Sequence, residues 1–380
     1  MTVRLIVNAD DLGYTEGVNR GIVEAHRRGI VTSTSLMVDH PAAAHGVELT
    51  AEEPRLGIGL HAVVDDVQPE RLDVELERQL GRFPRHPAEL GFFENIGVHE
   101  LSLTARRDGV FALLAVPFSE PVTTLFFGAP VGDFQLVDVT DPTSPVLTDD
   151  WGATKDGGFP SGGPFLPPPF DCSDPPCRGA DPLIFAHSAS PSTDGQTAYI
   201  AYWDLGAVVL DISDPTDISY VGRTVYPASS EGETHSAVPN EDGTLLATTD
   251  EDFSPFEGSH VPGDTWGFAR LWGLANPASP AHLSDITTPH SLTNSIGGVY
   301  SVHNAQFVGD KLYLSWYSDG VRIVDVASPT NPRELAFYRP QPHAGVLFGH
   351  PIPLVWGVHV AKGRIYLSDM FFGLYVVGEK

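Results

Sequence analysis

The spacing of apolar residues changes near residue 97 of the chain. Before that point, short apolar runs alternate with stretches in which apolar residues recur roughly every 3.6 positions, the period of an amphipathic helix. The runs predict strands at VRLIVNADD (from Val3), STSLMVD (from Ser33) and GIGLHAVV (from Gly57), and the stretches predict helices at GVNRGIVEAHRRG (from Gly17) and PAAAHGVELTAEE (from Pro41). Alternating strands and helices are typical of a parallel α/β sheet. We therefore expect residues 1–90 to form a truncated βαβαβ segment.

From about Gly97 onward, apolar and polar residues alternate along short strands, and one pattern recurs. In each copy, a strand rich in aromatic and β-branched residues is followed by an apolar strand and then by a proline-bearing turn. The copies are FQLVDVTDPTSP from Phe134, AVVLDISDPTD from Ala207, ARLWGLANPASP from Ala269, VRIVDVASPTNP from Val321 and a truncated LYVVGEK from Leu374. Repeated antiparallel meanders of this kind predict a β-propeller.

The fold predicted for the whole chain is therefore mainly β. A propeller-like repeat domain of about five blades occupies residues 97–380, and the α/β segment precedes it. The 38 glycines and 33 prolines suit many short strands joined by turns. The alternatives are a β-sandwich and an open β-array.

A histidine opens the first strand of each repeat unit. These histidines are His99, His187, His235, His303 and His359. In one interpretation they are structural, and each donates a hydrogen bond to the turn after the second strand, where Asp204 and Asp319 stand, so that one blade is fixed to the next. In the other interpretation they line a central channel and bind a metal or a substrate.

The composition excludes some partners. The formal net charge is −27, from 49 acidic and 22 basic residues, and a surface this negative repels nucleic acid and anionic lipid. No apolar run approaches the roughly 20 residues of a membrane helix, and the opening residues lack a signal-peptide pattern, so we expect a cytoplasmic location. Cys172 and Cys177 form either a local disulfide or two reduced thiols on a proline-rich loop.

Polar side chains follow the predicted strands of the N-terminal segment. They are Asn8, Asp10 and Asp11 after the first strand, Asp39 and His40 after the second, and His61 in the third. Because the carboxyl ends of parallel strands meet at one edge, where α/β folds hold their active sites, we expect these residues to lie close together. The alternative is that Asp10 and Asp11 cap the following helix or turn.

The stretch LIVNADDLGYTEGVNRGIVEAHRRGIVTSTSLMV from Leu5, followed by LGIGLHAVV from Leu56, resembles the opening third of the YdjC-like carbohydrate deacetylases. These are metal-dependent hydrolases that remove an N-acetyl group from short amino sugar chains. The resemblance, which ends near Arg82, implies that Asp11 and His61 hold a divalent metal, Mg²⁺ or Zn²⁺, and that Asp10 is the general base. It also implies an N-acetylated oligosaccharide as the ligand.

One family feature is missing from the sequence. The third metal ligand of these deacetylases is a histidine in a later motif resembling SHQH, and no such motif follows here. His86, in RFPRHPAEL, has different neighbours and does not match that motif. With two protein ligands a metal would be weakly held.

The consensus VDVxDPxxP resembles the LVIVD repeat, which is common in secreted or surface-associated bacterial proteins. The combined resemblances imply a binding or scaffold propeller, for an unknown protein or small-molecule ligand, joined to an inactive deacetylase fragment. One alternative is an active deacetylase that takes its missing ligand from the propeller, with His99 the nearest candidate. Another is a metal-binding channel formed by the propeller histidines.

Overall fold

The computed structural model describes residues 7–29, 31–61, 79, 91–159, 183–226, 232–253, 255, 265–293, 295, 297–341 and 352–378. Cys172 and Cys177, the candidate disulfide pair, and His86 lie outside these residues. The chain divides into two compact units, residues 1–90 and residues 91–380. No described helix is long and apolar enough to cross a membrane.

The N-terminal unit holds a three-stranded parallel sheet with a helix after each of its first two strands. Strands β1 (Asn8–Leu12), β2 (Ser33–Leu36) and β3 (Gly57–Leu60) lie in that order in the sheet, and helices α1 (Glu16–Arg28) and α2 (Ala43–Ala51) connect them. The buried core consists of Leu12, Ile22, Leu36 and Leu56. The predicted βαβαβ order is confirmed.

Helix α1 begins at a residue that caps it. The Thr15 hydroxyl accepts a hydrogen bond from the Val18 N–H at 3.2 Å, which satisfies one of the free amides of the first turn. Asn19, fully buried on the inner face of α1, fixes the preceding loop, since its Oδ1 accepts from the Gly13 N–H at 2.6 Å and its Nδ2 donates to the Ala42 carbonyl at 2.9 Å. The turn after β1 is therefore held by the helix that follows it.

In the described part of the C-terminal unit, five antiparallel sheets follow one another, and within each sheet every strand pairs with the next strand of the sequence. The first sheet contains β4 (Glu100–Ala105), β5 (Val110–Ala115), β6 (Phe134–Asp138) and β7 (Val146–Trp151). The second contains β8 (Ala186–Pro191), β9 (Thr197–Tyr202), β10 (Gly206–Asp211) and β11 (Ser219–Arg223). The third contains β12 (Thr234–Pro239), β13 (Leu245–Asp250), β14 (Ala269–Gly273) and β15 (Ala281–Ile286). The fourth contains β16 (Ala305–Val308), β17 (Lys311–Trp316), β18 (Gly320–Asp325) and β19 (Arg333–Tyr338). The described strands of the fifth are β20 (Val355–Ala361), β21 (Arg364–Asp369) and β22 (Gly373–Val377).

Consecutive sheets pack face to face, and their first strands adjoin in the order β4, β8, β12, β16, β20. These first strands form the inner wall, whereas every residue of the outer strand β19 is exposed. Apolar side chains fill the space between sheets, for example Leu136 with Ile200 between the first and second, and Leu271 with Leu314 between the third and fourth. Sheets packed in this way around their first strands are the arrangement of a propeller. The predicted mainly β, propeller-like fold of about five blades is confirmed.

The outward faces of the first and fifth sheets keep exposed apolar side chains. Leu101 and Leu103 of β4 are each 60% exposed, and Leu374 and Val376 of β22 are about half exposed. Phe93 packs on part of the first sheet's outward face, against a small buried cluster of β5 and β6.

Helix α3 (Ser119–Phe127) lies between β5 and β6, where the sequence pattern predicts no helix. Its sequence, SEPVTTLFF, is rich in β-branched and aromatic residues, which favour strands. Tertiary hydrogen bonds hold its first turn, because the Glu120 N–H donates to Asp133 Oδ1 at 3.1 Å and the Glu120 carboxylate accepts from the backbone N–H groups of Thr154 and Lys155. Contacts distant in sequence therefore override the local preference.

We expect Leu314→Ala to lower the free energy of unfolding by about 2–5 kcal/mol, because Leu314 is fully buried between the third and fourth sheets and alanine leaves a cavity. Leu335→Ala, on the exposed strand β19 of the same sheet, is the matched control and should change it by no more than about 0.5 kcal/mol. Urea unfolding followed by circular dichroism measures both. Equal losses in the two variants would contradict the packing described.

Candidate functional site

The acid pair of the N-terminal unit lies at a distortion of strand β1. The register between β1 and β2 shifts between Ala9 and Leu12, and Asp11 has a φ of +67°, in the left-handed region. A non-glycine residue rarely adopts this conformation, and such positions cluster at functional sites. The shift places the Asp11 carboxylate 3.4 Å from Nδ1 of His61, which follows β3.

Asp10 is held by neighbouring polar side chains. Its Oδ1 accepts hydrogen bonds from Nδ2 of Asn8 at 2.7 Å and from Oγ of Ser35 at 2.5 Å. The Ser35 hydroxyl also lies 3.2 Å from Nδ1 of His61, so one hydroxyl links the predicted base to the predicted metal ligand. Asp10, Asp11 and His61 therefore meet at one edge of the sheet, and both acids face solvent.

The alternative role of the acids as helix caps is not what the structure shows, since Thr15 caps α1. Asp11 and His61 supply a carboxylate and an imidazole, which are ordinary ligands of a divalent metal. Within the described residues, Asp11 and His61 do not belong to any group of three or more closely spaced metal-ligating side chains. His40 packs against Tyr14, with the two rings tilted by 45° and 5.3 Å between their centroids.

Four of the predicted histidines lie side by side at the inner wall of the propeller. The ring centroids of His99 and His187, of His187 and His235, and of His235 and His303 are 4.1, 4.1 and 3.8 Å apart. Two carboxyl groups and a tyrosine adjoin this row. We call the whole group the hub, and its members are His99, Glu100, His187, His235, Glu251, His303 and Tyr317.

A β-bulge turns the histidines of the second and third sheets toward their neighbours. The pairing of β8 with β9 passes from Ala186 directly to Ser188, and that of β12 with β13 passes from Thr234 to Ser236, so the histidine between is the extra residue. His359 occupies a different position. The bulge residue of the fifth sheet is Trp356, whose ring lies 5.7 Å from that of His303, and His359 lies three residues farther along β20. The row therefore contains four histidines and ends at a tryptophan.

Hydrogen bonds from an imidazole to a backbone carbonyl connect the histidine row from one sheet to the next. Nδ1 of His99 lies 3.1 Å from the carbonyl oxygen of His187, and Nδ1 of His187 lies 3.1 Å from that of His235. A carbonyl oxygen only accepts, so both Nδ1 atoms carry the proton and both Nε2 atoms keep a free lone pair. Each of these two histidines therefore fixes one sheet to the next.

The hydrogen-bond partners expected for the histidines, Asp204 and Asp319, have other roles. Asp204 accepts from the backbone N–H groups of Leu183 and Glu233. Asp319 accepts from the Thr288 hydroxyl at 2.6 Å and pairs with His290 at 2.8 Å. Among the described residues, the imidazoles of His99 and His187 instead lie within hydrogen-bond distance of a backbone carbonyl of the next sheet, and those of His235 and His303 face Glu251, which directly follows a second strand, so the turn acids Asp204 and Asp319 are not the partners.

Glu251, directly after β13, faces two of the imidazoles. Its Oε2 lies 3.7 Å from Nε2 of His235, and its Oε1 lies 3.6 Å from Nε2 of His303. The hydroxyl of Tyr317 donates a hydrogen bond to Oε1. Tyr317 has a φ of +24°, again in the sparsely populated left-handed region, so this contact is made against the local backbone preference.

Burial controls the ionisation of the hub. Desolvation, with a smaller effect of charge on neighbouring rings, lowers the pKa of His187 to about 3 and holds that of His235 well below its usual range. Desolvation likewise lowers the pKa of His303 to about 4 and raises the pKa values of Glu100 and Glu251 to about 7. At neutral pH the imidazoles of His187, His235 and His303 are therefore neutral, with lone pairs available.

Sequence reasoning identified the histidines and missed the rest of the hub. Glu100 follows His99 directly, and Glu251 lies in the acidic run TTDED. Only the pairing of β12 with β13, which brings Thr234 opposite Asp250, reveals that Glu251 stands beside His235. Tyr317 ends the aromatic strand LYLSWY and gives no sequence signal of its own.

Two family models match different parts of the chain. Residues 4–112 match the model of the YdjC-like protein family. A single LVIVD repeat matches at residues 192–225. The YdjC-like match extends past Arg82, where the resemblance was expected to end, and reaches residues that form the antiparallel pair β4 and β5.

Curated relatives are similar to the N-terminal part alone. The carbohydrate deacetylase of Brevibacillus brevis is 52% identical over 84 residues, which cover 22% of this chain and 34% of the relative. That of Geobacillus stearothermophilus is 48% identical over 80 residues, or 21% of this chain and 33% of the relative. The chain thus spans about a third of the length of these relatives.

Among solved structures, the periplasmic gluconolactonase PpgL of Pseudomonas aeruginosa aligns with a TM-score of 0.41 at 13% identity, over 73% of this chain and 70% of that one. A putative 6-phosphogluconolactonase of Bacteroides fragilis aligns with a TM-score of 0.37 at 11% identity, over 72% of each chain.

We expect the Glu251→Gln variant to gain stability relative to the unmodified chain as the pH rises. Burial in the folded chain raises the pKa of the Glu251 carboxyl from 4.5 to about 7, so the folded state binds the proton more tightly than the unfolded state does. The stability that this proton gives the unmodified chain is lost as the pH rises through these two values. Glutamine does not titrate. In the presence of a chelator, the free-energy difference between variant and unmodified chain should shift toward the variant by up to about 3 kcal/mol between pH 4.5 and 7.5.

Urea unfolding at several pH values measures this difference. The exposed Glu241→Gln is the matched control and should show no comparable shift. A difference for Glu251→Gln that stays constant across the range would contradict the burial of an ionisable carboxyl in the hub.

Proposed function

We propose that the C-terminal unit is a binding or scaffold propeller and that the N-terminal unit is a catalytically incomplete part of a carbohydrate deacetylase. The proposal for the N-terminal unit rests on one observation. Asp10, Asp11 and His61 meet at one sheet edge, in a segment similar to about a third of a deacetylase. The ligand of the N-terminal unit is then an N-acetylated amino sugar chain, as the names of the relatives suggest.

The side chains at this sheet edge have different roles in the proposed chemistry. Asp11 and His61 would hold a divalent metal, which when bound polarises an acetamide carbonyl and acidifies water. Asp10, which accepts hydrogen bonds from Asn8 and Ser35, is positioned to accept a proton from a water molecule at the exposed edge. Two protein ligands bind such an ion weakly, which is why we propose that this unit binds sugar and metal without efficient turnover.

A second candidate, an active deacetylase, is favoured by one observation. The Asp10–Ser35–His61 hydrogen-bond chain is intact, and a base held in this way is what hydrolysis requires. The experiment below separates the two candidates.

We expect the full chain, incubated with Zn²⁺ or Mg²⁺ and di-N-acetylchitobiose, to release no more acetate than its Asp10→Asn and Asp11→Ala variants. Acetate is measured by a coupled enzymatic assay, with product identity checked by mass spectrometry. Acetate release that is lost in both variants would overturn the proposal of an incomplete site and establish the active deacetylase.

Binding is tested separately from turnover. Isothermal titration of the full chain with di-N-acetylchitobiose in the presence of Zn²⁺ should show weak binding that is reduced in His61→Ala. Glu16→Gln, an exposed change at the start of α1, is the control and should bind like the unmodified chain. Binding that is equal in all three proteins would exclude this edge as the sugar site.

A further inference from the structure

The hub brings metal-ligating atoms together in a second place, far from the deacetylase-like edge in sequence. Ligand atoms of His187, His235 and Glu251, three buried residues, lie within 4.8 Å of one another, and those of His99, Glu100 and His187 form an adjoining group. The two groups share His187. We propose that the hub is a transition-metal site in which Nε2 of His187, Nε2 of His235 and the carboxylate of Glu251 are the ligands.

The first support is the orientation of the imidazoles. Histidines that bind a metal usually donate the proton of their other ring nitrogen to a carbonyl or carboxylate, which fixes the ring and the tautomer. His187 does this through Nδ1 to the His235 carbonyl, and His99 does it to the His187 carbonyl. Their Nε2 lone pairs are thereby available for a ligand and have no acceptor role within the row.

The second support is the separation of the ligand atoms. Around a tetrahedral zinc ion with bonds of about 2.0–2.1 Å, neighbouring ligand atoms are about 3.3–3.4 Å apart. Nε2 of His235 and Oε2 of Glu251 are 3.7 Å apart, within a few tenths of an ångström of this separation, and the ligand atoms of all three residues lie within 4.8 Å of one another. His303, whose Nε2 lies 3.6 Å from the other carboxylate oxygen, adjoins the same space.

The third support is the cost of the hub without a cation. His235 is 1% exposed and Glu251, which faces it, is 8% exposed, so this imidazole and this carboxyl group have lost most of their contact with water. A buried carboxylate is unfavourable unless a cation or hydrogen-bond donors compensate its charge. A divalent cation would stabilise the buried Glu251 carboxylate and use the lone pairs of neighbouring neutral rings.

The ligand set indicates the class of metal. Imidazole suits zinc, copper, iron and nickel, and two histidines with one carboxylate leave positions open for water or a substrate group. The proposal does not rest on the function proposed for the N-terminal unit, because Asp11 and His61 belong to that unit and the hub belongs to the propeller.

The test uses the full chain carrying Asp11→Ala, which removes a ligand of the N-terminal edge. The protein is stripped with a chelator, reloaded with Zn²⁺ and desalted, and its zinc content is measured by mass spectrometry. We expect about one zinc ion per chain, which is lost when Glu251→Gln or His187→Gln is added. The added change His359→Gln is the matched control and should leave the zinc content unchanged, since His359 lies outside the row.

A second readout guards against variants that lose zinc by unfolding. Added Zn²⁺ should raise the thermal midpoint of the Asp11→Ala protein, because a ligand that binds the folded state stabilises it. Glu251→Gln should melt cooperatively without this upward shift. The proposal is overturned if the Asp11→Ala protein takes up no zinc, or if zinc content and thermal shift survive both hub substitutions.

Discussion

The hydrogen bond from a histidine Nδ1 to the backbone carbonyl of the next histidine is one of the directional contacts that fix how the first three sheets of the C-terminal unit meet. Apolar side chains between sheets provide most of the burial, but they are non-directional and tolerate sliding. The bonds from His99 to His187 and from His187 to His235 are directional, and they act at the inner wall, where the sheets come closest. The β-bulges at His187 and His235 are therefore part of the packing and not defects of the strands.

The same hydrogen bonds decide which imidazole nitrogens of the hub are free to bind a ligand. In His187 the proton on Nδ1 leaves Nε2 with its lone pair, Nε2 of His235 faces Glu251 at 3.7 Å, and burial keeps both rings neutral. A structural role and a ligand-binding role for the histidines are thus not exclusive, because one ring nitrogen serves each. In the N-terminal unit, the left-handed backbone conformation of Asp11 has a comparable effect, because it turns the carboxylate toward His61 across the sheet edge.

Much of the fold could be predicted because its signals are local. Period-2 strands with proline-bearing turns gave the sheets, and the change of period near residue 97 separated the α/β segment. The failures arose where distant residues decide the outcome. Helix α3 forms in a strand-like sequence because Asp133 and two backbone amides after β7 hold Glu120. His359 appeared equivalent to the other histidines by spacing, whereas strand pairing assigns that position to Trp356.

The centroid spacing of the row has a consequence for charge. Two adjacent imidazolium ions about 4 Å apart would repel each other by about 4 kcal/mol even at an effective dielectric constant of about 20. Protonation of the central His235 is therefore opposed by any charge on His187 or His303, so acidification would charge these two outer rings before the ring between them. The three buried histidines behave as one coupled titrating unit, with Trp356 as its uncharged end.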